Sequence, residues 1–204
     1  MTAARPARIA IELDSVTASL LKALYPRTAV HSICFQDAPL RDNSFDVAIS
    51  NVPFGDFPAV DRTSLKVGER FLTRSVHNYF FIKTLAKLRP GGVLAFITSR
   101  YTLDAPTAES IRGYLHQEAD LVAALRLPAG TFPDTEVVTD LVLLRKRLTT
   151  EVPGDDTWLK TISQSYFYER PQPANARGNG TTLWGQTSCL AGVVAAGLPA
   201  PRSP

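Results

Sequence analysis

Along the first 147 positions, apolar residues fall in short blocks separated by turn chemistry, and blocks of about five suit buried strands rather than helices. Ile9, Ala10 and Ile11 lead into Glu12, Leu13 and Asp14, a pattern that predicts a strand delivering two acids to its carboxyl edge. Val16, Leu20, Leu21 and Leu24 then recur at helical spacing, with Ser15 placed to cap the helix and Pro26 to stop it. A second strand is predicted over 30–35, followed by Gln36 and Asp37. A third covers 45–49 and ends in Ser50-Asn51, because Pro53 can continue neither a ladder nor a helix.

Beyond that point the spacing predicts a helix from His77 to Leu88, closed by Arg89-Pro90-Gly91-Gly92, where glycine relieves a left-handed cap. A strand over 93–98, a helix over 106–116 and strands over 121–127 and 140–144 follow, with the loop 129–139 as a hairpin-like excursion at the sheet's edge. From Leu148 the pattern fades. Residues 148–204 are expected to form an irregular tail, partly packed through Trp158, Tyr166, Phe167 and Tyr168. Strands alternating with helices predict an α/β, doubly wound, Rossmann-like sheet, and right-handed crossovers bring the first three strand ends to one edge.

Composition narrows the picture a little. A chain of 204 residues with 45% hydrophobic content suits one domain with a real core. No apolar run approaches the ~18 residues needed to span a membrane, and residues 1–8 carry no apolar leader core. Two cysteines, Cys34 and Cys189, give neither metal-ligand spacing nor a disulfide framework, so a cytoplasmic setting and no metal are expected. The net charge of +3 is compatible with nucleic acid and equally with an ordinary solvated surface. Arg62, Lys66, Arg70 and Arg74 are within reach of a phosphate role, although solvated charge is the better reading; His77 reads as packed or capping.

The candidate chemistry sits where the third strand ends. Asn51 offers an amide carbonyl, and the Val52 backbone carbonyl, next to Pro53, offers a second acceptor. Two acceptors side by side suit one planar –NH2 group, an adenine amine or a carboxamide, and Phe54 supplies a face for a flat base. Glu12 is placed to bind ribose hydroxyls, and Asp37 to accept from an adenine amine.

Asn51-Val52-Pro53-Phe54 resembles the Asn-Pro-Pro-Tyr/Phe motif of adenine-specific DNA methyltransferases, with Val52 in place of the first proline. Together with Glu12, Asp37, Pro90-Gly91-Gly92 and Thr98-Ser99, it is similar to the motif order of class I S-adenosylmethionine-dependent methyltransferases. Residues 45–57, 79–104, 125–132 and 135–146 resemble the methylase segment of large phage- and plasmid-type methylase–helicase proteins, over roughly 9–147. The resemblance implies a partial catalytic domain at 1–147 that methylates the N6 amine of a flipped adenine in DNA. It implies Glu12, Asp37 and Asn51 at the cofactor, with Asn51, Val52, Pro53 and Phe54 at the target base.

One departure stands out. The resembled fold begins with a central strand and a glycine-rich turn, yet residues 1–8 contain no glycine. The chain is therefore expected to be an amino-terminally truncated segment whose first and third strands keep unpaired edges, and which is marginal, aggregation-prone or dependent on another polypeptide that supplies the strand. Two alternatives remain: a non-catalytic nucleic-acid-binding module, or a methyltransferase acting on RNA or on protein glutamine.

Overall fold

The computed structural model describes residues 7–55, 57–59, 61, 72–128, 131–132, 137–161 and 193–197. Within them the chain runs β1 (Ala7–Ile11), α1 (Ser15–Leu24), β2 (Thr28–His31), a 3-10 turn (Phe35–Asp37) and β3 (Phe45–Asn51). It continues through α2 (Val76–Lys87), β4 (Leu88–Ser99), α3 (Tyr101–Asp104), a second 3-10 turn (Pro106–Ala108) and α4 (Glu109–Glu118). β5 (Ala119–Arg126), β6 (Thr139–Lys146) and β7 (Val193–Gly197) complete the order. The described strands form one sheet, β2-β1-β7-β3-β4-β6-β5. β1 pairs with β2 and β3 with β4 in parallel, while β6 runs antiparallel to both β4 and β5.

Local chemistry explains where these elements start and stop. α1 is capped by Asp14, whose carboxylate accepts from the Thr17 N–H at 2.6 Å, and Ser15 is its first helical residue rather than its cap. The second strand stops at His31, short of the predicted Phe35. The Phe35 ring is drawn off the ladder to stack on Phe80 at 4.8 Å and meet Tyr79 edge-on at 6.1 Å. Asp37 consequently ends a 3-10 turn, not a strand. α2 passes straight into β4, and the register between β3 and β4 breaks between Phe45/Leu88 and Val47/Val93, where Arg89 to Gly92 bulge. Gly91 adopts φ +79° there.

The middle of the sheet corrects the expectation of open edges. β7 lies between β1 and β3 and runs antiparallel to both, with Val194 opposite Ala10 on one side and Ile49 on the other. The edges of β1 and β3 are thus paired, and the segment doing so comes from the far end of the chain, in the region expected to be irregular. Its direction is opposite to that of a strand leading into a glycine turn at the carboxyl edge.

Strand alternation then sorts the side chains. Ile11, Ala48, Leu94, Phe96, Val142 and Leu144 share a buried cluster with Tyr79, Phe80, Phe81, Ile82 and Leu85 of α2 and Ile111 and Leu115 of α4. Val47, Ile49 and Leu125 point the other way and are exposed, Ile49 to 46%. Trp158 packs against the cluster, and the buried Arg112 holds the carbonyls of Leu159 and Ala105 at 2.7 and 2.9 Å, pinning the chain just past β6. Tyr166, Phe167 and Tyr168 lie outside the described residues.

Candidate active site

The sheet register decides how the candidate residues meet. Val194 is level with both Ala10 and Ile49, so two residues further on Glu12 and Asn51 are level with each other. They emerge at one edge, two strand spacings or about 10 Å apart, with the amino end of β7 between them. β1 and β3 are parallel to one another because each is antiparallel to β7, and β1 is parallel to β2. This edge therefore collects the carboxyl ends of β1, β2 and β3, the position at which open α/β sheets bind ligands.

Glu12 is buried to 4% exposure, and one carboxylate oxygen accepts the Asp14 N–H at 2.9 Å. Its own N–H donates to the His31 carbonyl at 3.0 Å, which continues the β1–β2 ladder one residue past the strand. Asp37 is exposed at the end of its turn, where its N–H donates to the Cys34 carbonyl at 3.0 Å. Asn51, the last residue of β3, is exposed. No described residue bonds the Asn51 side chain or the Val52 carbonyl; Asn51 is exposed and open to a ligand, whereas Val52 as a whole residue is only 2% exposed.

Val52 anchors the motif. The whole residue is 2% exposed and belongs to the core cluster, and its N–H donates to the Ile97 carbonyl at 3.0 Å. Phe54 is half-buried and packs against the core cluster, which leaves part of the ring to solvent. The Gly55 carbonyl accepts from the Val76 N–H at 3.3 Å, tying the end of the motif to the start of α2. The sequence thus produces a turn whose apolar members are fixed and whose polar member is presented.

Beneath this edge lies a polar cluster that the sequence pattern did not single out. Lys83 of α2 donates to the Gln36 carbonyl at 2.7 Å and to the Asp61 carboxylate at 3.2 Å, and Tyr79 donates to the same Asp61 oxygen at 2.5 Å. Both members of the ion pair are almost fully buried. Burial pushes the Lys83 ammonium below its ordinary range, with Asp61 opposing that shift. Burial first, and then the Asp61 carboxylate, raises the Tyr79 phenol far enough to keep it protonated. A signal was present: Lys83 falls four residues after Tyr79 and three after Phe80, on the helix's apolar face.

His77 is buried in α2, as expected of a packed residue. Arg74 is exposed; Arg62, Lys66 and Arg70 lie outside the described residues. Among the described residues no group of three or more His, Cys, Asp or Glu could hold a metal ion, and no helix is long and apolar enough to cross a membrane.

A test of fit for S-adenosylmethionine divides in two. Glu12, just past the end of β1, and Asp37, at the end of the turn that follows β2, are acids that suit the ribose and adenine of an adenosyl group. For the methionyl half, the described residues place only the amino end of an antiparallel β7 where a close backbone approach would be needed.

Comparison with known proteins gives three kinds of likeness. The model of the N-6 DNA Methylase family matches residues 23–178. The chain is 30% identical over 141 residues to the "Defense against restriction protein B" of Escherichia phage P1, a match covering 67% of this chain and 6% of that protein. A putative class I S-adenosylmethionine-dependent methyltransferase from Listeria monocytogenes superposes with a TM-score of 0.57 at 18% identity, over 72% of this chain and 46% of the other. A modification subunit of a putative type I restriction enzyme from Vibrio vulnificus does so with a TM-score of 0.54 at 18% identity, over 67% and 32%. The two superpositions establish the Rossmann-like methyltransferase fold. The chain spans only a small part of the phage relative and under half of either solved structure.

Proposed function

The chain belongs to the N-6 DNA methylase family, and from that premise we propose that it is the catalytic segment of an adenine-specific DNA methyltransferase. The carrying observation is the level placement of Glu12 and Asn51 at one sheet edge, with the Asn51 side chain presented and Val52 anchored in the core. Its substrate is an adenine swung out of the duplex, and its cofactor is S-adenosylmethionine, which supplies an electrophilic methyl group on a sulfonium. The same reading puts the reaction in the cytoplasm, with its DNA.

The chain's own residues do the positioning. Glu12 and Asp37 hold the adenosyl group. The Asn51 amide oxygen and the Val52 carbonyl accept the two amine hydrogens of the target, which aims the nitrogen lone pair and draws charge onto it. Pro53 stiffens the turn, and the exposed part of Phe54 stacks on the base. No strong base is required, because the nitrogen becomes positively charged on transfer and releases its proton to water.

A labelled-methyl assay on duplex DNA, RNA and protein tests this. At millimolar S-adenosylmethionine, label on DNA adenine, cut about 100-fold by Asn51→Ala with the melting temperature unchanged, is the expected outcome; label on RNA or on protein glutamine would overturn the DNA reading. β7 in the central slot favours a second reading, a nucleic-acid-binding module without transfer activity. DNA binding that survives Asn51→Ala, in a wild type that never transfers methyl groups, would select it.

The methionyl half is completed by another polypeptide, whose parallel strand and glycine turn take the slot held by β7. On this reading the chain alone binds the adenosyl half only at millimolar concentration. Micromolar S-adenosylmethionine binding by the chain alone, measured by isothermal titration, would rule the exchange out.

A further inference from the structure

One face of α2 holds both halves of the candidate site. Its first residue, Val76, donates its N–H to the Gly55 carbonyl at the end of the target motif. One turn on, Tyr79 takes the Asp61 carboxylate, from the segment that follows that motif. One turn further, Lys83 takes the same carboxylate and also the Gln36 carbonyl, immediately before Asp37. Positions 76, 79–80 and 83 share a helix face, so the two half-sites are measured against consecutive turns of one rigid element.

The Lys83 ammonium is closely confined. Besides its two hydrogen bonds it sits 5.2 Å from the Phe35 ring centroid and 5.7 Å from that of Tyr79. Phe35 begins the turn that Asp37 ends. The same ammonium therefore contacts the first residue of the turn through a ring face and the second through its carbonyl.

A buried ion pair is by itself a weak source of stability. Desolvating a lysine and an aspartate together costs about as much as their attraction returns, and apolar residues of similar volume fill such a space as well or better. An apolar side chain could not hold the Gln36 carbonyl or join it to Asp61. Resting on the methyltransferase reading above, we propose that Lys83 is a positioning residue for methyl transfer. By bridging Gln36 to Asp61 it sets the turn that carries Asp37 against the motif that carries Asn51.

The test removes the polar trio while keeping its volume. In Tyr79→Phe/Asp61→Leu/Lys83→Met the ion pair is removed as a whole, so neither of its charges is left buried alone and the variant is expected to fold. Hydrogen exchange by mass spectrometry over residues 33–38 should nonetheless quicken about tenfold, the loss of a hydrogen bond from a charged donor. Millimolar S-adenosylhomocysteine, followed by NMR, should bind about tenfold more weakly to the same variant. Lys83→Arg, which keeps a cation and its donors, should restore part of both. Unaltered exchange at 33–38 in the folded triple variant overturns the proposal. If the triple variant fails to fold, Lys83→Arg decides alone: exchange as fast as in Lys83→Met, despite the retained cation, overturns it, and slower exchange supports it. A wild type that does not bind S-adenosylhomocysteine at all brings down the methyltransferase reading, while the exchange still judges the lysine.

Discussion

Asn51, Val52 and Gly92 show how single residues set the geometry of the site. Val52 and Asn51 are neighbours with opposite fates: alternation sends one side chain into the core and leaves the other at the rim. That pairing was readable in the sequence, since a strand ended by proline must present its last residues. Gly92 was readable as a helix terminator and as part of the Pro90-Gly91-Gly92 likeness, not as a close backbone contact. A β-carbon there would stand 2.9 Å from the Arg89 carbonyl oxygen, 3.0 Å from that of Phe45 and 3.1 Å from that of Asp46. All three are backbone atoms, one in the bulge that joins α2 to β4 and two in the facing strand β3, so none can turn aside. Gly92→Ala is expected to cost about 1–3 kcal/mol in urea unfolding; an unchanged midpoint would mean that the bulge relaxes freely. Asp61 and Lys83 went unrecognised because their importance comes from meeting each other across 22 positions.

Among the elements, β7 changes the picture most. This five-residue strand pairs along its whole length with β1 and through Val194, Ala195 and Ala196 with β3, which converts two strand edges into an interior. Removing residues 193–204 is expected to expose both edges and to produce concentration-dependent aggregation in light scattering. A deletion variant that stays monomeric, with unaltered β-sheet circular dichroism, would show that β7 contributes nothing to the sheet. On the other flank, Asp120 at the start of β5 accepts two bonds from Arg147, at 2.6 and 3.0 Å, and one from Arg145 at 3.0 Å. Burial acts to raise the Asp120 pKa, but the Arg147 hydrogen bonds and charge outweigh it and hold the carboxyl below its ordinary value. A depressed carboxyl stabilises the fold above its unfolded pKa, and that contribution fades as pH falls toward the folded value. Stability should therefore fall as the pH drops below about 5, less steeply in Asp120→Asn. Parallel slopes in the two proteins would contradict this.

For the whole molecule, the two faces of the sheet are unequal. α2 and α4 cover one, where the buried cluster lies. On the other, Val47, Ile49 and Leu125 are exposed, and on α1 the residues Val16, Leu20 and Leu24, spaced by four, are exposed as well. Apolar surface of this kind takes up hydrophobic dyes. The chain should bind 1-anilinonaphthalene-8-sulfonate in its folded state, and Ile49→Thr with Leu20→Gln should lower the fluorescence at unchanged melting temperature. Fluorescence that is absent from the start would show this face to be covered in solution.

Taken alone, the sequence determined the alternation of strands and helices, the strand-end placement of Glu12 and Asn51, and the likeness to adenine methyltransferases. These follow from local periodicity and turn chemistry, which short stretches carry in full. Only the tertiary structure decided what occupies the centre of the sheet. A strand such as Val-Val-Ala-Ala-Gly has no periodicity that distinguishes it from a tail, and its partners are more than 140 positions away. The same holds for the lysine bridge under the site, because a buried charge becomes legible only when the group that neutralises it has been brought alongside.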